Sequence, residues 1–189
     1  MTVDTTLRTL ATAAVIAIAA PAAATKWKVD PARSRIGFSG TQTGEMFQGQ
    51  FGVVLATIDF DPANPEAGRA LIDIDLATAK TGDSQRDEAL PGEDWFDIAR
   101  FPKARFEAKR FTSKGANAYE VTGTLCLRGV CRDLVLPFKL EIKEGTAHVT
   151  GHLDVMRTAF GVGQHEWSSD EYVGFAVGID IDLTATPDP

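Results

Sequence analysis

The side chains of this sequence best able to do chemistry are a run of carboxylates, three histidines and two cysteines. Asp83, Asp87, Glu93, Asp94 and Asp97 fall within fifteen residues. A pair of them could hydrolyse a glycosidic bond, which needs two carboxyl groups about 5 Å or about 6.5 to 9.5 Å apart. Their setting favours structural work instead: Arg86 and Arg100 lie within pairing distance along the chain, and Asp83 stands where a helix cap belongs. No G-x-S-x-G elbow, phosphate-cradling glycine loop or dinucleotide fingerprint accompanies them. The expectation is a protein that is not an enzyme, with no catalytic residue and no cofactor.

The histidines offer a metal reading that spacing narrows. His148 and His152 lie four positions apart in a strand pattern, about 13 Å along it, whereas zinc binds histidine nitrogen at about 2 Å. His152 with His165 and Glu166 is the one combination left. Solvated histidines without a metal are the expected outcome.

Cys126 and Cys131 flank Leu127-Arg128-Gly129-Val130. If Arg128-Gly129 is a two-residue hairpin turn, Leu127 pairs with Val130 and Cys126 faces Cys131, with Cα atoms about 4.5 Å apart. A cross-strand disulfide fits that geometry, and two free thiols are the alternative state. The C-x₄-C spacing is not that of thiol oxidoreductases.

The elements that hold these residues follow from composition and periodicity. The chain has 189 residues, 44% hydrophobic and 24% charged, enough for one domain with its own core. Its first 24 residues carry Arg8 ahead of the apolar run LATAAVIAIAAPAAA, which reads as a cleaved secretory signal too short for a comfortable membrane span. Domain boundaries of 1–24 and 25–189 and a periplasmic location follow, where a disulfide persists. Removing Asp4 and Arg8 together leaves the net charge at −7, and such a surface repels nucleic acid phosphates.

After residue 25 the pattern alternates with period two: Ile36 and Phe38, then Phe47, Phe51 and Val53, then Ile72, Ile74 and Leu76. A strand starting near Ala104 follows, then Tyr119 to Leu127, Leu134 to Ile142, Val149 to Val155, and Val173 to Leu183. About eight strands joined by turn signals, with no long helix to cover a sheet, imply an all-β antiparallel barrel or sandwich. Gly49, Gly123, Gly151 and Ala70 interrupt the inward series. Either they leave room for a ligand in an eight-stranded barrel or they mark bulges and corners.

The only long section without strand pattern runs from Thr81 to Pro102. Asp83 or Ser84 can cap a short helix that Pro91-Gly92 ends. Trp95, Phe96, Ile98 and Phe101 then form an apolar patch, each large aromatic contributing about 2 to 3 kcal/mol when buried, so the segment is expected to dock on the barrel mouth as a lid.

The series Thr81-Gly82, Arg86-Asp87, Asp94-Trp95-Phe96-Asp97, Phe101-Pro102, Gly123, Leu127-Arg128-Gly129-Val130, Leu136-Pro137, Arg157 and Phe160-Gly161-Val162-Gly163 resembles the YceI-like family of secreted lipid-binding proteins. Asp30, Ser34, Ile36 and Phe60-Asp61-Pro62 fit it too. The resemblance implies an eight-stranded, lipocalin-like barrel whose tunnel takes a polyisoprenoid or similar long-chain amphiphile for transport, storage or sequestration. It makes the inward residues Phe38, Phe47, Phe51, Ile72, Ile74 and Phe106 tunnel wall, together with Leu125, Leu136, Phe138, Phe160, Phe175 and Val177. Trp95, Phe96 and Phe101 become the mouth, with Arg86 and Arg157, besides Arg35, as candidates for the polar head. Two departures stand out: Glu88-Ala89 replaces the histidine many relatives carry after Arg-Asp, and the cysteines stand where the family commonly has Thr or Ser. The other functional class is a non-catalytic scaffold that meets a membrane redox or stress system through a transient membrane-protein partner.

Overall fold

The computed structural model describes residues 25–52 and 54–188. The expected signal segment and Val53 lie outside the described residues. Ten strand segments make the sheet: β1 (Thr25–Val29), β2 (Arg35–Gln42), β3 (Glu45–Phe51), β4 (Val54–Phe60), β5 (Arg69–Asp75), β6 (Lys103–Gly115), β7 (Ala118–Leu127), β8 (Val130–Lys143), β9 (Thr146–Met156) and β10 (Ala176–Pro187). Every pairing is antiparallel, in the order β1-β4-β5-β6-β7-β8-β9-β10 and back to β1, which closes the sheet.

The eight staves of this barrel come from ten segments because two staves are broken. One edge of β10 pairs with β2 at Gly178–Asp182 and with β1 at Ala185–Pro187, so β1 and β2 are two halves of one stave. Pro31 interrupts it, and the Asp30 carboxylate accepts from the Ala32 N–H to make the turn. β3 and β4 divide the next stave in the same way, pairing with β2 and β1. Alternation alone does not single out β1 or β4, because short half-staves carry too few alternating positions to stand out.

Three other expectations shift. The last strand starts at Ala176, not Val173: Val173 forms only an isolated bridge with Gln42, and the β9–β10 ladder ends where the Arg157 N–H donates to the Phe175 carbonyl and β9 gives way to a 3-10 turn. Leu76 leaves the sheet to begin a 3-10 turn and is the most buried large side chain, 1% exposed. In β6 the register slips between Ala108 and Arg110. That bulge changes which parity faces inward, from Ala104 and Ala108 to Phe111.

The connections sort to two ends. At the lid end lie the long β5–β6 and β9–β10 connections, the β7–β8 turn and the tip of β2–β3. At the distal end lie the β4–β5, β6–β7 and β8–β9 connections. The β7–β8 turn has Arg128 and Gly129 at φ of 52° and 74°, both positive as the tightest hairpin turn requires. Leu127 pairs with Val130 and Cys126 with Cys131, and the disulfide is formed, with Cα atoms 4.0 Å apart. Among the described residues no helix is long and apolar enough to cross a membrane.

Candidate functional site

The inward side chains enclose a cavity of about 170 Å³. All 23 lining residues are apolar or aromatic. The one polar side-chain atom among them, Trp27 Nε1, is committed to the Phe60 carbonyl at 3.0 Å. The wall therefore offers hydrocarbon contact and no hydrogen bond. Of the residues expected to form it, Ile72, Ile74, Phe106, Leu125, Leu136 and Phe138 do line the cavity.

Aromatic rings occupy much of the space that the inward glycines would have left open. A Cβ on Gly49 would collide with the Phe38 ring, and one on Gly123 with the Phe106 ring and with the Glu107 carbonyl at 2.6 Å. Gly151 is closed in by the Pro137 carbonyl and by Phe138. These glycines are seats for neighbouring side chains, and Gly123 also lies opposite the β6 bulge. The cavity that remains is close to the about 150 Å³ known to hold benzene and below the 300 to 1,000 Å³ of ordinary ligand pockets. A longer tail needs some of these rings to turn.

The Thr81–Pro102 segment closes the lid end. Its helix α1 (Ser84–Ala89) is capped by Asp83, which accepts from Arg86 N–H at 3.0 Å. Asp87 accepts from the Thr81 N–H and hydroxyl at 2.7 and 2.9 Å, and these bonds hold its carboxyl below the usual range. Arg86 donates to Gln42 Oε1 at 2.8 Å and lies 4.8 Å over the Phe47 ring. The Thr-Gly and Arg-Asp motifs thus tie the lid to the β2–β3 hairpin. From the opposite side Arg128 Nε donates to the Trp95 carbonyl at 2.9 Å, and Phe101 packs over Gly129.

The aromatic pair of the lid points two ways. Phe96 is buried, 6.2 Å from Phe51, in a core with Phe38, Leu76, Phe160 and Val162. Trp95 turns to Trp167, 5.5 Å away, and to the Arg157 guanidinium at 5.6 Å. No residue of the lid lines the cavity, nor do Phe38, Phe47, Phe51, Phe160, Phe175 or Val177. Their rings and side chains fill the lid end instead of walling the space.

Arg157, expected at the polar head, is 3% exposed. It donates to the carbonyls of Gly174, Val162, Ser169 and Val173 at 2.8 to 3.0 Å, and burial pulls its pKa down. A Cβ on Gly163, whose φ is 83°, would strike its guanidinium. Four committed donors make it the organiser of the β9–β10 connection and leave it little to offer a head group. Arg35 sits outside the barrel, 70% exposed beside Asp182.

The carboxylates and histidines pair off separately. Asp97 is buried against Arg100, and Asp94 faces His165 at 2.6 Å, which raises that histidine's pKa. His148 meets Asp182 at 2.8 Å and His152 meets Asp180 at 2.7 Å, again with a raised pKa at His152. Among the described residues no group of three metal-ligating side chains converges.

Periodicity missed part of the wall. Trp27 stands close to the apolar leader, Phe60 ends the unrecognised β4, and Phe111 is hidden by the bulge; all three line the cavity. The spacing Ala56, Ile58, Phe60 was the available signal.

The YceI-like domain family matches residues 27–185. The chain belongs to this family. A UPF0312 protein of Yersinia pestis is 30% identical over 141 residues, 73% of each chain. One of Pseudomonas syringae is 34% identical over 80 residues, so this chain spans 42% of that relative. Among solved structures, Burkholderia cenocepacia BcnA superposes with a TM-score of 0.82 at 33% identity, covering 84% of this chain and all of BcnA. A polyisoprenoid binding domain from Saccharophagus degradans shares the fold with a TM-score of 0.66 at 14% identity, covering 87% of this chain and 99% of that one.

Proposed function

We propose that this chain holds the apolar tail of a polyisoprenoid or similar long-chain lipid inside its barrel, for transport, storage or sequestration, and performs no catalytic step. The observation that carries the reading is the cavity: a closed barrel whose wall is entirely apolar and whose single polar atom is already bonded within the chain. Such a wall gives about 0.8 kcal/mol per methylene buried and discriminates against any ligand whose polar atoms would have to enter. The name of the Saccharophagus degradans domain supports the isoprenoid class. In this reading residues 1–24 are a signal removed on export, and the barrel works in the periplasm.

Native mass spectrometry of the protein from the periplasm, with organic extraction of what it releases, tests this. A long-chain lipid at one-to-one stoichiometry is the expected result, lost in Ala147→Leu, which fills the cavity from its wall. A ligand-free barrel that also refuses added polyprenol overturns the reading in favour of a scaffold.

A further inference from the structure

Resting on the lipid-binding reading, we infer that the lipid enters through the distal end and keeps its polar head there, beside the Tyr119 hydroxyl, with the lid end permanently closed.

Three observations converge on this. The first is where the cavity lies. It reaches the distal end through Phe60, Phe111, Phe138 and Ala147, whereas neither the β5–β6 nor the β9–β10 connection contributes a lining residue. Between the cavity and the lid-end surface stands packed side chain: Leu76, Phe160, Val162 and Phe96, each under a tenth exposed.

The second is what closes each end. The lid end is held by directional bonds: Arg157 to four carbonyls, Arg128 to the Glu93 and Trp95 carbonyls, and Gly163 and Gln164 N–H to the Asp94 carbonyl at 2.8 and 2.9 Å. Opening there breaks many hydrogen bonds at once. The distal end is closed by a cluster of rings: Phe60 lies 5.0 Å from Phe111, and Tyr119 lies 5.6 Å from Phe60 and 5.4 Å from Phe138. Rings held by contact alone move aside by side-chain rotation, which leaves the backbone ladder whole. Gly68, in the connection over this cluster, has no side chain to trap them; a Cβ there would meet Phe60 and Phe111 at 2.9 Å.

The third is Tyr119 itself. Its ring is buried on the cluster, 8% exposed. Among the described residues its hydroxyl has no hydrogen-bond partner, and no buried side-chain oxygen or nitrogen is left unsatisfied, so that hydroxyl faces water. It marks the boundary where a hydrocarbon tail ends and a polar head can be hydrogen-bonded.

The three tryptophans of the chain divide between the ends and supply the test. Trp27 lines the cavity towards the distal end, while Trp95 and Trp167 pack together at the lid with their rings tilted. The probe is geranylgeraniol carrying a nitroxide in place of its hydroxyl, with one-to-one binding checked by native mass spectrometry. In Trp95→Phe/Trp167→Phe, where only Trp27 emits, the bound probe should quench more than half of the fluorescence. In Trp27→Phe it should quench little. The reverse pattern, or equal quenching of both, overturns the inference while leaving lipid binding intact; a probe that does not bind at all overturns the lipid reading itself. Uptake rates test the same inference with the tryptophans in place. Phe111→Ala should speed stopped-flow uptake at least several-fold and Arg128→Ala should not, and the opposite order refutes distal entry.

Discussion

Replacing Arg157 with methionine should show how far one side chain maintains the lid end. Methionine keeps an apolar stem between Trp95 and Phe175, which lie 5.6 and 5.4 Å from the guanidinium, but donates nothing. The carbonyls of Val162, Ser169, Val173 and Gly174 then lose their donor. An unsatisfied buried polar group costs about 1 to 3 kcal/mol. Only the bonds to Val162 and Val173 are fully buried, so at the middle of that range the two carbonyls cost about 4 kcal/mol together, a large share of the about 5 to 15 kcal/mol that keeps a domain folded. For a domain of this size about 4 kcal/mol lowers the Tm by roughly 8 to 16 °C. Arg157→Lys keeps the charge on one nitrogen, which cannot span carbonyls from four residues, and should fall between the two. Thermal melts by circular dichroism, with urea midpoints as a second measure, read the effect. A methionine variant melting within about 3 °C of wild type, equivalent to about 1 kcal/mol, would refute the assignment of Arg157 as organiser.

The Cys126–Cys131 bridge closes a six-residue loop, so Cys126→Ser/Cys131→Ser should cost about 2 kcal/mol by loop entropy; unchanged urea midpoints would show that the bridge adds nothing beyond the hairpin. His165 has a raised pKa in the fold because it bonds Asp94, so its contribution is complete below the ordinary value near about 6.5 and is lost as pH rises through the folded value. The Tm gap between wild type and His165→Gln should therefore be widest near about pH 5.5 and close by about pH 9, and a gap that grows with pH would contradict the pairing. Gly163→Ala places a methyl against the Arg157 guanidinium at a positive φ, and should destabilise the β9–β10 connection enough to raise its amide exchange rates while β7 and β8 stay protected. Uniform exchange across all three would refute a local role.

Legible from the residues were an all-β antiparallel barrel or sandwich, the β7–β8 hairpin with its facing cysteines, a short helix capped by Asp83 or Ser84 and the burial of Phe96, and the family resemblance narrowed the first of these to a barrel. Each of these is local: alternation of period two, two residues suited to positive φ, a capping side chain, an aromatic too large to leave in water. The rest depends on how strands and connections pack against one another, which composition and alternation do not encode. Arg157 reads in the sequence as a cation for a head group, but the fold surrounds it with carbonyls from 162 to 174 that no spacing rule brings together. Gly49 and Gly123 read either as room for a ligand or as bulges and corners, and space inside a barrel belongs to whichever neighbouring ring can reach it, as Phe38 and Phe106 do. Unbroken alternation in β6 would have turned Phe111 to solvent, and the bulge reverses the parity so that Phe111 becomes wall. The end at which the cavity lies followed from where large side chains pack, because periodicity tells which face of a strand is inside and says nothing about how far along the barrel the inside is filled.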